Sequence, residues 1–140
     1  MSIFDRFSLK GRVALITGGG RGLGLEIARA IAEAGAHVVV TGRTAATLDG
    51  AVAAITRNGG SAQAAVFDVA DIGAGRAMIA EISKTRGRLD ILVNNVGARD
   101  RRPLAAFNDD DILDLIRTDL LSAISLSRDA AEIMKVQGHG

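Results

Sequence analysis

The stretch Val13-Ala14-Leu15-Ile16-Thr17-Gly18-Gly19-Gly20-Arg21-Gly22-Leu23-Gly24 decides the fold. It begins as an apolar run, the pattern of a strand buried on both faces of a parallel sheet. After the glycines, apolar positions at Ile27, Ala30, Ile31 and Ala34 keep a helical period up to a stop at Gly35. Glycines between strand and helix let the backbone turn tightly and approach a diphosphate. The helix N-terminus adds unpaired N–H groups and the positive end of its dipole. A phosphate-bearing ligand is the expected guest. The spacing is T-G-x-x-x-G-x-G, and neither G-x-G-x-x-G nor G-x-x-x-x-G-K-[ST] fits these residues.

Working outward, the same alternation continues. His37 to Thr41 is a second strand, and Thr44 is placed to cap a helix carrying Leu48, Val52 and Ile55 that ends at Asn58-Gly59-Gly60. Ala62 to Phe67 is a third, weaker strand. Asp71 opens a helix through Ile72, Ile79 and Ile82 that stops at Gly87, and Leu89 to Val93 is a fourth strand. Asn108, followed by Asp109, Asp110 and Asp111, is expected to start a last helix running from Ile112 to about Lys135. Four strands alternating with four helices, without repeat or linker, predict a doubly wound parallel α/β sheet with right-handed crossovers.

Composition narrows the function. The 140 residues are 48% hydrophobic and 24% charged, as in a globular domain, with 17 glycines and no Tyr, Trp or Cys. Seventeen Lys and Arg against 16 Asp and Glu leave a net charge of +1, too weak a field for a nucleic-acid backbone, so no nucleic-acid partner is expected. Without Cys, and with only His37 and His139 far apart in sequence, no metal site is expected. The first twelve residues lack the apolar core of a signal peptide and no apolar run reaches membrane-spanning length, so no membrane partner is expected and a reducing cytoplasm fits.

Three separately placed motifs carry a resemblance to the short-chain dehydrogenase/reductase family: the glycine loop, Asp68-Val69 after the third strand, and Asn94-Asn95-Val96-Gly97 after the fourth. It implies a Rossmann-type sheet ordered 3-2-1-4 and truncated after the fourth strand and the following helix. Residues 1–140 would then be the N-terminal part of a single NAD(P)-binding domain. In the glycine loop it points to Thr17, Gly18, Gly20, Arg21, Gly22, Leu23 and Gly24 as cofactor-binding. It further implies that Asp68 contacts the adenine with help from the Val69 backbone, and that Asn94, Asn95 and Gly97 shape the ribose side. Val96 stands where the family usually has Ala. The second strand ends in Thr41-Gly42-Arg43 with no acid for a ribose 2′-hydroxyl, so Arg43, with Arg21 as a second jaw, suits the 2′-phosphate of NADP(H) in preference to NAD(H), which remains possible.

Projected at 100° per residue, Ile112, Leu115, Ile116, Ala123, Leu126, Ala130, Ile133 and Met134 form one apolar stripe, and Asp119 falls inside it. A carboxylate there is either a satisfied structural acid or a functional one. By resemblance Asp119 occupies the position of a family asparagine that organises a proton-relay water, making it the one candidate catalytic residue in the chain. The arginine-rich loop Arg99-Asp100-Arg101-Arg102-Pro103 reads either as an attractor of an acidic substrate or as a solvated loop.

The family's chemistry is hydride transfer between nicotinamide and a small-molecule carbonyl or alcohol, with a tyrosine as acid and base, a lysine lowering its pKa and a serine orienting the substrate. These residues belong to a fifth strand and its helix. The sequence has no tyrosine, Lys135 lies on the wrong helix, and Gln137-Gly138-His139-Gly140 stands where the fifth strand would begin. The expectation is therefore an NADP(H)-dependent oxidoreductase at family level, inactive as these 140 residues alone, with a fourth strand whose open apolar edge favours self-association. A non-catalytic dinucleotide-binding module and a non-functional truncated remnant are the alternatives.

Overall fold

The computed structural model describes residues 2–140. A short helix α1 (Ile3–Arg6) leads into β1 (Val13–Ile16), α2 (Gly22–Glu33), β2 (His37–Gly42), α3 (Ala45–Arg57), β3 (Ser61–Val66), α4 (Ile72–Arg86) and β4 (Ile91–Val93). A 3-10 turn (Leu104–Ala106) and α5 (Asp109–Ile116) then run through a π-helical turn (Arg117–Leu121) into α6 (Ser122–Gln137). The four strands form one parallel sheet in the order β3-β2-β1-β4. Because all strands point one way, the loops that follow them gather at one edge of the sheet.

Strand β1 shows why the apolar run is continuous. Val13 and Leu15 face one side, with Val39, Phe67, Ile79, Ile82, Leu126 and Ala130. Ala14 and Ile16 face the other, with Ala28, Val38, Val40, Leu48, Ala51 and Ile55. Helices α4 and α6 cover the first face, α2 and α3 the second, so each residue of the strand is buried whichever way it points. The ends of the sheet differ. Asp90, just before β4, is buried and accepts hydrogen bonds from the Val13 N–H (2.8 Å) and the Arg12 guanidinium (3.0 Å), and a fork of two from Arg88 (2.8 and 2.7 Å). The amide of Gln137 takes both backbone groups of Leu89, accepting from its N–H at 2.8 Å and donating to its C=O at 2.9 Å.

Several local expectations are corrected. The fourth strand covers only Ile91–Val93, because Leu89 is paired with Gln137 and Asp90 with the arginines. Thr44 stands at the N-cap of α3 without a side-chain hydrogen bond. The last helix is two helices joined by the π turn, where the Ser122 N–H reaches the Arg117 carbonyl five residues back and the Ser122 hydroxyl takes the Thr118 carbonyl at 2.6 Å. That extra residue rotates the apolar face. Leu126 and Ala130 are buried, whereas Ile112 and Ile116 are exposed, and Asp119 does not lie in a buried stripe but is itself exposed. No helix among the described residues is long and apolar enough to cross a membrane.

Candidate functional site

A cavity of about 600 Å³ opens where the strands end, in the size range of small-molecule and cofactor sites. Its floor is the glycine loop. Gly18 and Gly22 adopt φ of +63° and +54°, a region side chains disfavour. At Gly24 a side chain would collide with the Gly18 carbonyl and the Asn95 amide. The three motif glycines thus serve two turns and one close packing. Helix α2 starts here with Arg21 at its N-cap, and the first backbone bond into the helix is made by Leu25, so the N–H groups of Gly22, Leu23 and Gly24 are left for a guest.

Toward β2 and β3, Arg21, Arg43, Asp68 and Val69 line the cavity. Among the described residues neither Arg21 nor Arg43 forms an ion pair. Thr44, whose side chain makes no capping hydrogen bond, also lines the cavity. Asp68 closes a tight turn, accepting from the Ala70 N–H at 2.9 Å through one oxygen, and its other oxygen has no hydrogen-bond partner among the described residues. Toward β4 the wall is Asn95, Val96, Gly97, Ala98 and, from the π turn, Thr118.

Thr17 and Asn94 stand outside this lining. The Thr17 side chain is buried. Its hydroxyl donates to the Val93 carbonyl (3.3 Å) and accepts from the N–H groups of Asn95 (2.9 Å) and Val96 (3.3 Å). Asn95 answers by donating its amide to the carbonyls of Thr17 (3.0 Å) and Gly18 (3.3 Å). These bonds lock the glycine loop to the β4 turn. Asn94 instead donates to the Ser127 hydroxyl on α6 at 3.0 Å. Asp119 lies one residue behind the wall and accepts the Ala98 N–H at 2.5 Å. In the arginine loop, Arg102 is held by Asp100 and Asp111 and stacks 4.6 Å from the Phe107 ring centroid, leaving only Arg99 and Arg101 outside ion pairs. Thr44 and Thr118 were not found by sequence reasoning. An uncapped N-cap and a π turn leave no mark in apolar spacing.

Glycine cradle, free helix N–H groups and two unpaired guanidiniums form a donor set suited to a diphosphate plus one further phosphate. The comparisons agree with that chemistry. Residues 12–140 match the family described as short chain dehydrogenase. Over 140 residues the chain is 41% identical to gluconate 5-dehydrogenase of Gluconobacter oxydans (strain 621H), covering 100% of this chain and 55% of that protein. Among solved structures, a gluconate 5-dehydrogenase from Burkholderia cenocepacia J2315 in complex with NADP and tartrate is similar at TM-score 0.89 and 43% identity, over 99% of this chain and 55% of that one. A metagenomic short-chain oxidoreductase in complex with NADP gives TM-score 0.90 at 33% identity, over 94% of this chain and 60% of that one. The chain spans about half the length of the curated relatives it matches.

Proposed function

The chain belongs to the short-chain dehydrogenase family, and on that premise we propose that it binds NADP(H) in preference to NAD(H), as the cofactor-holding half of an oxidoreductase acting on a small carbonyl or alcohol. The observation that carries this reading is the pair of unpaired guanidiniums, Arg21 and Arg43, at the β2 side of a cavity floored by a helix N-terminus. Bound there, the nicotinamide would supply or accept hydride. The chain's own residues bind and orient. The N–H groups of Gly22 to Gly24 take the diphosphate, Arg21 and Arg43 clamp the 2′-phosphate with the Thr44 hydroxyl beside them, and the free oxygen of Asp68 faces the adenine.

Proton transfer is a separate matter. The sequence contains no tyrosine, so the acid and base of the family's chemistry is not among these residues, and we expect cofactor binding without turnover from them alone. Gluconate dehydrogenases among the relatives support a sugar acid as substrate of the whole protein. Exposed apolar side chains along α5, the π turn and α6, including Leu113, Ile116, Leu120 and Ile124, support self-association, which sedimentation velocity reads directly.

Calorimetric titration with NADP+ and NAD+ tests the central reading. NADP+ is expected to bind more tightly. Arg43→Ala should weaken NADP+ about ten- to a hundredfold, as expected for one charge-assisted contact, and leave NAD+ little changed. An unaltered ratio of the two affinities in that variant would remove the clamp.

A further inference from the structure

We propose that Asp119 sets the redox preference of the bound cofactor, its fixed carboxylate favouring the oxidised, cationic nicotinamide over the reduced, neutral one. This rests on the NADP(H) reading above. Arg43 follows β2, Asp68 follows β3 and the glycine loop follows β1, which fixes the 2′-phosphate and diphosphate to that side of the sheet. In the order β3-β2-β1-β4 the rest of the cavity lining among the described residues, and so the space for the second nucleoside, lies past β4. The wall there, from Val96 to Ala98 with Thr118, carries no charged side chain.

The anchored charge nearest that wall is Asp119. One oxygen accepts the Ala98 N–H at 2.5 Å and lies 4.0 Å from the place a Gly97 Cβ would occupy, and Gly97 puts no side chain between it and the cavity. Among the described residues no cation pairs with it. Arg102 is taken by Asp100 and Asp111, and Arg117 by Asp114. Arg99 and Arg101 lie exposed on the loop, and among the described residues no hydrogen bond or ion pair anchors either side chain as the Ala98 N–H anchors Asp119. An unpaired carboxylate held by a backbone N–H at this spot is a local negative potential that a nicotinamidium feels and a dihydronicotinamide does not. A unit charge acting from a solvent-exposed position changes binding about two- to fivefold.

The ratio of NADP+ to NADPH affinity isolates the effect, because both forms share the adenosine, the 2′-phosphate and the diphosphate. Dissociation constants for both would be measured on the protein and on Asp119→Asn, which keeps the shape and the bond to Ala98, with 2′,5′-ADP as a probe of the shared half. The expected result is a two- to fivefold fall in relative NADP+ affinity in the variant, with 2′,5′-ADP affinity unchanged. In the unmodified protein the same ratio should fall as salt rises, which serves if the variant fails to fold. Binding of all three ligands with a ratio indifferent to the substitution, or to salt where the variant does not fold, overturns the role of Asp119 and leaves the NADP(H) reading standing. Failure of the unmodified protein to bind 2′,5′-ADP and both cofactors overturns the two together.

Discussion

Asp90 carries two charged neighbours, Arg12 and Arg88, and shows how a buried acid is kept ionised. Burial alone would raise its carboxyl; the fork from Arg88, the Val13 N–H and the Arg12 guanidinium reverse that and hold it at about 2. A carboxyl depressed in the folded state stabilises fully above its unfolded value and loses that contribution as pH falls through the folded one. Acid unfolding should therefore steepen below about pH 4, and Asp90→Asn should cost about 1–2 kcal/mol at pH 7, discounted for the half-exposed arginines, and flatten that acid limb in urea titrations. His37 has the opposite charge logic. Desolvation first, then the Arg86 cation, lower its pKa against a hydrogen bond to Gln63 that raises it. Its ring spans Ser61 at 2.7 Å and Gln63 at 3.2 Å. The folded protein resists protonating it, so stability should fall as pH drops through the histidine's unfolded value, and His37→Gln should remove that slope between pH 7.5 and 5.5. Thr41 is buried with its hydroxyl unpartnered among the described residues. Thr41→Val keeps the shape and is expected to gain up to about 1 kcal/mol in unfolding free energy.

At the scale of elements, the glycine loop and helix α2 form one device. Gly24→Ala would drive a methyl into the Gly18 carbonyl, so α2 must shift off the loop. A loss of about 2–3 kcal/mol in denaturant unfolding, together with weaker NADP+ binding, is the expected outcome. Much of this level was legible in the sequence. Asn108 does open α5 with a capping box completed by Asp111, and Gly87 does end α4 in the left-handed conformation, because cap chemistry is local and needs no tertiary partner. The π turn was not legible. A hydrophobic period describes which residues want burial but is blind to one extra backbone residue, and the Asp119 that seemed to spoil a stripe marks the place where the stripe is broken. Helix α1 escaped for another reason. Its four residues bury nothing, and only the reciprocal bonds of Ser2 and Asp5 hold it, too small a signal beside Phe4 and Phe7. In the site, type and place of Arg21, Arg43 and Asp68 were readable because motifs fix them after strands. That Thr17 faces inward as a lock was not, because its partners lie more than seventy residues away.

At the scale of the whole molecule, the two sides of the cavity come from segments far apart in sequence, so a bound cofactor should steady the entire sheet. With NADP+ at a hundred times its dissociation constant, unfolding free energy should rise by about 2.7 kcal/mol, seen as a concentration-dependent shift in thermal melting that NAD+ matches only at higher concentration. The opposite edge of the sheet is fastened differently. Arg12, Asp90 and His139 meet there, Arg12 reaching the His139 ring at 3.2 Å across 127 residues, while Gln137 occupies the backbone of Leu89 as a neighbouring strand would. Chain ends ordinarily fray first, and their amides exchange with solvent without waiting for the core. Here the Leu89 amide, outside any strand, should exchange as slowly as those of β1, because freeing it means detaching the far end of α6. In hydrogen-exchange terms the start of β1 and the far end of α6 should belong to one unit, the last to open.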